Sequence, residues 1–321
     1  MESENKRSRQ LVQALFRESL FQSELPPHLY IEPTNACHLA CVMCPRDQSR
    51  KPVGFLDFTL FEKIVSDSLA YGTRRRIILH KDGEPLLHPE LERMISYLKE
   101  KRAARTVAFS TSGFGLNEEK ARALIESGLD EINFAVDGAT KETYEKIRRN
   151  SRFEEVEENI RSFVRLRNSH SHHPLEVIVR IIEMPAVSHE MEAFQKKWET
   201  LVDQVEVRPF RSWAGRYQPQ FMNVHEERVP CLYLWTSLAI NWDGSVSICS
   251  LDYDSRAIVG NVKDESLYDI WHGEAHRKIR LAHLEGRYSE LPACASCLDW
   301  PARPDFWNEG TRRMATAELL D

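Results

Sequence analysis

Three cysteines lie close together near the N-terminus, at Cys37, Cys41 and Cys44, in the spacing C-x3-C-x2-C. Thiolates at this spacing can wrap around a metal cluster but pair poorly with one another, and the odd total of seven cysteines also argues against disulfides. A [4Fe–4S] cluster normally takes four thiolates, so three ligands would leave one iron open for chemistry. Zinc held by the same thiolates and His38 is the alternative. The spacing favours the iron–sulfur cluster.

The other four cysteines form a second group, which consists of Cys231, Cys249, Cys294 and Cys297. The pair Asp243-Gly244 predicts a β-hairpin that folds Cys249 back toward Cys231. Four thiolates make a closed site, which is either a zinc ribbon or a second [4Fe–4S] cluster. Because the first group already favours iron and sulfur, the cluster is the better interpretation here.

Composition and charge exclude several classes of protein. The chain has 321 residues, a formal net charge of −6 and no basic block beyond Arg74-Arg75-Arg76, which argues against nucleic acid or an anionic membrane as a partner. No N-terminal apolar segment resembles a signal peptide, and no run of 18 apolar residues exists. Seven cysteines without a secretory signal predict a reducing cytoplasm and metal ligation.

Strand-like and helix-like runs alternate between residues 28 and 210, a pattern typical of a parallel α/β sheet or barrel. The predicted strands are His28–Glu32, Arg76–His80, Thr106–Ser110, Glu131–Val136, Glu176–Ile182 and Gln204–Arg208. The predicted helices are Thr59–Ala70, Pro89–Arg102, Glu118–Ser127, Lys141–Arg148, Phe153–Asn168 and His189–Leu201. Six strands predict a partial (β/α)6 TIM-like barrel. The first cysteine group follows the first strand, so it lies at the carboxyl ends of the strands, where parallel barrels carry their active sites.

The pattern predicts five parts of the chain. They are an N-terminal helical extension (1–27), the barrel (28–210), a linker (211–230), a small domain with a β-hairpin and helices (231–299) and a tail (300–321).

With these elements in place, the sequence resembles the radical S-adenosylmethionine (SAM) superfamily over almost its whole length. Cys37, Cys41 and Cys44 match that superfamily's C-x3-C-x2-C motif. The stretch Asp82-Gly83-Glu84-Pro85, after the second strand, resembles the Gly-Gly-Glu-Pro motif that receives the amino group of SAM, with Asp82 in place of the first glycine.

Further motifs extend the resemblance and imply more SAM contacts. Ser110-Thr111-Ser112-Gly113 resembles the Ser-Thr-Asn-Gly stretch near the SAM ribose and carboxylate, and Asp137-Gly138 resembles the Ser-Asp-Gly turn. Arg148 and Arg180 are each a candidate partner for a carboxylate of SAM, and each is equally open to a structural ion pair.

The four C-terminal cysteines resemble the twitch version of the SPASM auxiliary-cluster domain, and this narrows the similarity to aminocyclitol dehydrogenases of the deoxy-scyllo-inosamine type. The resemblance implies two [4Fe–4S] clusters, SAM, a hydroxylated small-molecule substrate and a low-potential electron donor of the flavodoxin or ferredoxin type. It also implies that a 5′-deoxyadenosyl radical takes a hydrogen atom from the substrate and that the auxiliary cluster accepts the electron. Candidate catalytic residues are Arg211, Arg216, Asp252 and Cys249.

Three alternatives remain open from the sequence. In a radical epimerase, Cys249 would return a hydrogen atom to the substrate instead of binding iron. A peptide-modifying maturase is disfavoured, because only residues 1–27 precede the first strand and such enzymes often carry a leader-binding domain. A non-catalytic electron carrier or zinc-structured binding module is the alternative from outside the enzymes.

Overall fold

The structure, a computed structural model, describes residues 24–49, 51–170, 173–222, 228 and 230–300. Almost all of the predicted N-terminal extension and C-terminal tail lies outside the described residues. Among the described residues, no helix combines the length and apolar character needed to cross a bilayer.

Six parallel strands form the barrel wall, as the alternating pattern predicted. Their order in the sheet is β1, β3, β4, β5, β7 and β8, and each neighbouring pair is parallel. Their bounds are β1 His28–Ile31, β3 Arg74–Ile78, β4 Ala104–Thr111, β5 Glu131–Ala135, β7 Glu176–Glu183 and β8 Gln204–Pro209. The carboxyl ends of the strands therefore meet at one rim, where a shared site can form.

The C-terminal hairpin is joined to the barrel sheet, which the sequence did not predict. Strand β9 (Ser237–Ile240) pairs in parallel with β1, and β10 (Ser245–Ser247) and β11 (Ile258–Asn261) continue the sheet in antiparallel order. Gly244 closes the hairpin with φ of +88°, a left-handed conformation that favours glycine. The described residues thus form one nine-stranded sheet that runs from the small domain into the barrel.

A short two-stranded sheet lies across the first cysteine loop. Strand β2 (Ala40–Cys41) pairs with β6 (Arg148–Arg149), so that Cys41 is opposite Arg148. The helix expected over Lys141–Arg148 ends one residue earlier, at Ile147, because Arg148 takes part in this strand pairing.

The helices cover the sheet, and some of them begin at a capping side chain. They are α1 Phe58–Leu69, α2 Leu91–Glu100, α3 Glu118–Glu126, α4 Lys141–Ile147, α5 Phe153–His170, α6 Met191–Trp198, α7 Tyr233–Thr236, α8 Leu267–His272 and α9 Glu274–Leu284. Asp57 caps α1 and Asn117 caps α3 by accepting backbone N–H groups of the first turn. One apolar core runs through the barrel and the C-terminal hairpin, and the half-buried Cys41, Cys249 and Cys294 pack against it.

Candidate active site and cluster sites

The first three cysteines lie in the loop that leaves β1 at the barrel rim. All three thiols are half-buried and free of disulfides. The loop is tied to the barrel by a backbone bond from Val42 to Ile147 (2.9 Å) and is turned by a bond from Cys44 N–H to the Cys41 carbonyl (3.0 Å). Three thiols thus lie in one short loop at the predicted end of the barrel.

Polar side chains just before the cysteines hold the loop in place. Thr34 Oγ1 donates to the Gly54 carbonyl (2.6 Å), and the Asn35 amide bonds both Pro52 and Gly54 (2.8 and 2.9 Å). Two hydrogen bonds from one buried Asn side chain anchor the loop to the segment before α1.

The loop after β3 approaches the cysteine loop so closely that only glycine fits at position 83. A Cβ on Gly83 would lie 2.2 Å from the Thr34 carbonyl oxygen and 2.7 Å from that of Ala36. The next residue, Glu84, donates its N–H to the Ala36 carbonyl (2.7 Å). The Asp-Gly-Glu-Pro stretch and the cysteine loop are therefore one packed unit.

We expect Gly83→Ala to destabilise the protein by about 1–3 kcal/mol, because the added methyl group must push two backbone segments apart. The same displacement should lower the iron bound at the first cysteine group, which iron analysis after anaerobic reconstitution measures. Gly115→Ala is the control, because a Cβ there meets nothing within 4 Å and only the left-handed backbone opposes it. Equal iron retention in the two variants would contradict the close-packing argument.

Glu84 is a buried carboxylate that is almost fully hydrogen-bonded. Its Oε2 accepts from both the N–H and the hydroxyl of Ser112 (2.8 and 2.7 Å), and its Oε1 accepts from Leu86 N–H (3.2 Å). A carboxylate has about four acceptor positions, so one remains on Oε1 for a cationic group such as an ammonium. Pro85 begins the short helical turn at 85–87 that orients this loop.

Arg148 connects two of the predicted motifs. Its guanidinium donates to Asp137 through Nε (2.8 Å) and Nη2 (2.6 Å), and its Nη1 reaches Cys41 Sγ at 3.9 Å. The other carboxylate oxygen of Asp137 accepts from Ile182 N–H (2.7 Å). Arg148 is thus an ion-pair partner of Asp137 placed against the Cys41 thiol, so it has the structural ion pair that the sequence left open.

The remaining predicted SAM contacts lie around the rim and inside the barrel. Arg180 is paired with Glu206 on the neighbouring strand and reaches Ser110 Oγ at 3.4 Å. Thr111 Oγ1 accepts from Gly113 N–H (2.9 Å), which shapes the turn after β4. Arg180 therefore has the structural ion pair that the sequence left open.

Asp82 belongs to a buried charge cluster that the sequence did not predict. Its Oδ2 pairs with Lys81 Nζ (2.6 Å) and Lys51 Nζ (3.0 Å), and its N–H donates to Glu32 Oε1 (3.2 Å). The ammonium groups of Lys81 and Lys51 also bond the carbonyls of residues 252 and 253 (3.3 and 3.1 Å). This buried charge cluster joins the Asp-Gly-Glu-Pro stretch to the segment that follows Cys249.

Two features of this buried charge cluster bear on ligand binding and pH. Asp82 Oδ1 is buried without a hydrogen-bond partner among the described residues. Burial, and then the neighbouring Asp82, raise the pKa of Glu32 to about 7. A buried acceptor without a partner is costly unless a ligand satisfies it.

We expect the free energy of unfolding to fall between about pH 4.5 and 7 because of Glu32. The folded protein holds this proton in that range while the unfolded chain releases it, so stability present at low pH is lost as pH rises toward the folded pKa. At the steepest point, Glu32 makes the free energy of unfolding fall by about 1.4 kcal/mol per pH unit. Urea unfolding of wild type and Glu32→Gln at pH 5.5 and 6.5 measures it, and parallel changes in the two proteins would refute the assignment.

The linker packs against both cysteine groups. Trp213 Nε1 donates to the Met43 carbonyl (2.8 Å), and the Tyr217 hydroxyl donates to the Cys44 carbonyl (3.2 Å). Asp299 accepts from the N–H and hydroxyl of Ser212 (both 2.7 Å), and its own N–H donates to Cys297 Sγ (3.3 Å). Residues 212–217 therefore bridge the two predicted cluster sites.

The four C-terminal cysteines line a single cavity, as the hairpin argument predicted. All four cysteines are half-buried, and none of them forms a disulfide. Among the described residues, no three Cys, His, Asp or Glu side chains converge on a point as a lone metal ion requires. Each thiolate of a [4Fe–4S] cluster binds its own iron atom, so four cysteines around one cavity supply the complete ligand set of such a cluster.

The thiols at both sites need a cation to ionise. Burial raises the pKa of Cys37 to about 11 and that of Cys44 and Cys294 to about 12. Without a bound metal these thiols would stay protonated at neutral pH, whereas bound iron makes the thiolate the stable form. The donor sets at both sites therefore fit iron–sulfur clusters.

The candidate catalytic residues differ in their contacts, and of the four only Cys249 is among the residues that line the auxiliary cavity. Arg216 is paired with Asp254. Asp252 is fully buried and accepts from Ala257 N–H (2.9 Å) and Arg256 Nε (3.4 Å), so it stabilises its own turn. Arg211 is half-buried in the linker, and Cys249 lines the cavity with the other three cysteines.

Several site residues were missed by sequence reasoning. No recognised motif includes Lys51, Lys81 or Tyr253, although Lys81 directly precedes the Asp-Gly-Glu-Pro stretch. Tyr253 is buried and its ring packs edge-on against Trp213, with centroids 5.8 Å apart. A lysine next to an acidic motif was the one available signal.

Comparison with known families and proteins agrees with this geometry. The profile of the radical SAM superfamily matches residues 31–191, and the profile of SPASM, an iron–sulfur cluster-binding domain, matches residues 231–298. The two matches contain the first and second cysteine groups respectively.

Individual relatives are distant. GTP 3′,8-cyclase of Chlorobaculum tepidum is 32% identical over 129 residues, which cover 40% of this chain and 38% of that protein. The crystal structure of BtrN with AdoMet and 2-DOIA superposes with a TM-score of 0.58 at 19% identity, covering 85% of this chain and 93% of BtrN. SuiB of Streptococcus suis, bound to its precursor peptide SuiA, superposes with a TM-score of 0.65 at 14% identity, covering 86% and 71%. These structures share the fold.

Proposed function

This chain belongs to the radical SAM superfamily, and we propose that it is an oxidoreductase that dehydrogenates a hydroxylated small molecule such as a sugar, aminocyclitol or aminoglycoside. The observation that carries the proposal is the cavity lined by Cys231, Cys249, Cys294 and Cys297. Four thiolates occupy all four irons of a [4Fe–4S] cluster, so no iron is left for substrate. An auxiliary cluster whose four irons all have protein ligands is suited to electron transfer.

When bound, SAM and the two clusters would supply a 5′-deoxyadenosyl radical and an acceptor for the substrate's electron. Cys37, Cys41 and Cys44 would hold the first cluster and would leave one iron open. The remaining acceptor position of Glu84 and the unpaired Oδ1 of Asp82 suit the ammonium group of SAM.

Other residues position these groups. Arg148, held by its ion pair with Asp137, places its guanidinium against Cys41 Sγ and would stabilise the negative charge of that thiolate. Trp213 and Tyr217 hold the cysteine loop by its backbone carbonyls, so the linker fixes the first site relative to the second. Reducing power would come from a low-potential flavodoxin or ferredoxin in the cytoplasm.

The position of Cys249 bears on the radical epimerase alternative. Cys249 lines the same cavity as three other cysteines, and Leu251 N–H donates to its Sγ (3.3 Å), as is common for cluster thiolates. This supports a ligand role over that of a hydrogen-atom donor. No contact among the described residues favours the peptide maturase.

The test is anaerobic reconstitution followed by turnover with dithionite, SAM and a panel of aminocyclitols and sugars. We expect 5′-deoxyadenosine together with a product that has lost two hydrogens. With carbon-deuterated substrate, deuterium should appear in 5′-deoxyadenosine. A product of unchanged mass that contains solvent hydrogen would instead identify an epimerase, and a requirement for a peptide substrate would identify a maturase.

A further inference from the structure

One buried histidine of the small domain has no role in the proposed function so far. His283 lies near the end of α9, is fully buried, and lines the cavity that contains the four C-terminal cysteines. Its ring packs edge-on against Tyr288, with centroids 5.0 Å apart, so its orientation is restricted.

The hydrogen bonds of His283 decide which ring nitrogen carries the proton. The Cys231 backbone N–H lies 3.3 Å from Nδ1 of His283. A backbone amide can only donate, so Nδ1 is the acceptor and the ring proton lies on Nε2. Cys231 is one of the four cavity cysteines, so this bond also ties the ring directly to the cluster site.

The proton on Nε2 has no acceptor among the described residues. Nε2 of His283 is buried and has no hydrogen-bond partner among the described residues. A buried N–H without an acceptor costs the full desolvation penalty of the group, so such donors normally have a partner in the complete protein. The cavity that the ring lines is where the sulfurs of a bound cluster would lie.

We propose that the Nε2–H of His283 donates a hydrogen bond to a sulfur of the auxiliary iron–sulfur cluster and thereby raises its reduction potential. Reduction adds negative charge to the cluster, so a hydrogen-bond donor stabilises the reduced form more than the oxidised form. His283 is thus a positioning residue that makes the cluster a better electron acceptor. The consequence for catalysis rests on the proposed function, but the hydrogen bond does not.

The experiment measures the potential without any substrate, so it can fail while the proposed function stands. The full chain carries Cys37→Ala, Cys41→Ala and Cys44→Ala, so that only the auxiliary cluster gives a signal. A redox titration followed by electron paramagnetic resonance should show that His283→Phe makes reduction about tenfold less favourable, the size expected for one charged hydrogen bond. For a one-electron couple this is a shift of about 59 mV to lower potential.

Two further variants separate the hydrogen bond from packing. His283→Gln keeps an N–H donor at similar reach and should recover most of the potential. His276→Phe is the matched control, because His276 is also fully buried on α9 but packs on Trp271 (4.9 Å) and is not among the residues that line the cavity. An unchanged potential in His283→Phe, or an equal shift in His276→Phe, would overturn the proposal.

A measurement without substitution at His283 covers the case in which the Phe variant does not hold its cluster. In the same triple-alanine background with 15N-labelled histidine, pulsed electron paramagnetic resonance of the reduced cluster should detect coupling to one histidine nitrogen. Absence of this coupling would equally overturn the proposal.

Discussion

Replacing Cys41 with alanine should abolish the reductive cleavage of SAM, so that 5′-deoxyadenosine falls below detection. With one of three thiolates gone, the first site cannot hold its cluster, while the four C-terminal cysteines are untouched. Bound iron should therefore fall from about eight to about four atoms per chain. Iron and sulfide analysis together with chromatography of 5′-deoxyadenosine measures both quantities.

Cys294→Ala is the matched control for this prediction. It should also lose about four irons, now from the auxiliary site, yet keep SAM cleavage that is no longer coupled to substrate oxidation. The two variants thus lose similar amounts of iron with opposite effects on SAM. SAM cleavage by Cys41→Ala, or its loss in both variants, would contradict the assignment of the two sites.

Lys81→Met should lower the free energy of unfolding by about 3–5 kcal/mol, the cost of breaking a buried ion pair by removing one partner. Lys81 is buried with none of its side chain exposed and bonds the buried Asp82 at 2.6 Å. Its removal leaves the carboxylates of Asp82 and Glu32 near each other, with Lys51 as the remaining neighbouring ammonium. Urea unfolding of the reconstituted protein under anaerobic conditions measures the loss.

The same charge cluster provides two controls. Lys51 bonds the same carboxylate, but 19% of its side chain is exposed, so water screens its loss and Lys51→Met should cost about 1 kcal/mol or less. Adding Asp82→Asn to Lys81→Met removes the uncompensated charge and should restore part of the stability. If Lys51→Met and Lys81→Met lower the free energy of unfolding equally, then burial does not determine the contribution of Lys81 to stability.

The structure also explains why the sequence identified some site residues and not others. Cys37, Cys41, Cys44 and Glu84 lie in short segments directly after predicted strands, and parallel strands bring such segments to one rim. Lys51 and Lys81 bond carbonyls of residues 253 and 252, which are 202 and 171 positions away along the chain. No local pattern encodes contacts of that separation.

The contacts of two predicted site residues, Asp252 and Asp82, could not be read from the sequence. Asp252 was selected from the sequence as a carboxylate just past Cys249, but its oxygens accept from Ala257 and Arg256 of its own turn. Asp82, which the resemblance assigned only to SAM, also anchors the buried charge cluster through Oδ2, while its Oδ1 has no partner among the described residues. Residue type and position cannot show whether a carboxylate is already occupied, because that depends on neighbours brought in by folding.

The spacing of both cysteine groups and the alternation of strands and helices could be read from the sequence, and they predicted the six-stranded barrel and its family. The first cysteine group and the strand and helix patterns are local, since each depends on residues within a turn or an element of one another, whereas the second cysteine group was assembled from separate segments by the hairpin signal at Asp243-Gly244. Three contacts became visible only in the folded protein: β9 pairs with β1 in one sheet, Arg148 contacts Cys41, and His283 lines the auxiliary cavity. These contacts join segments far apart in the chain, and their formation depends on burial and packing that no single segment contains.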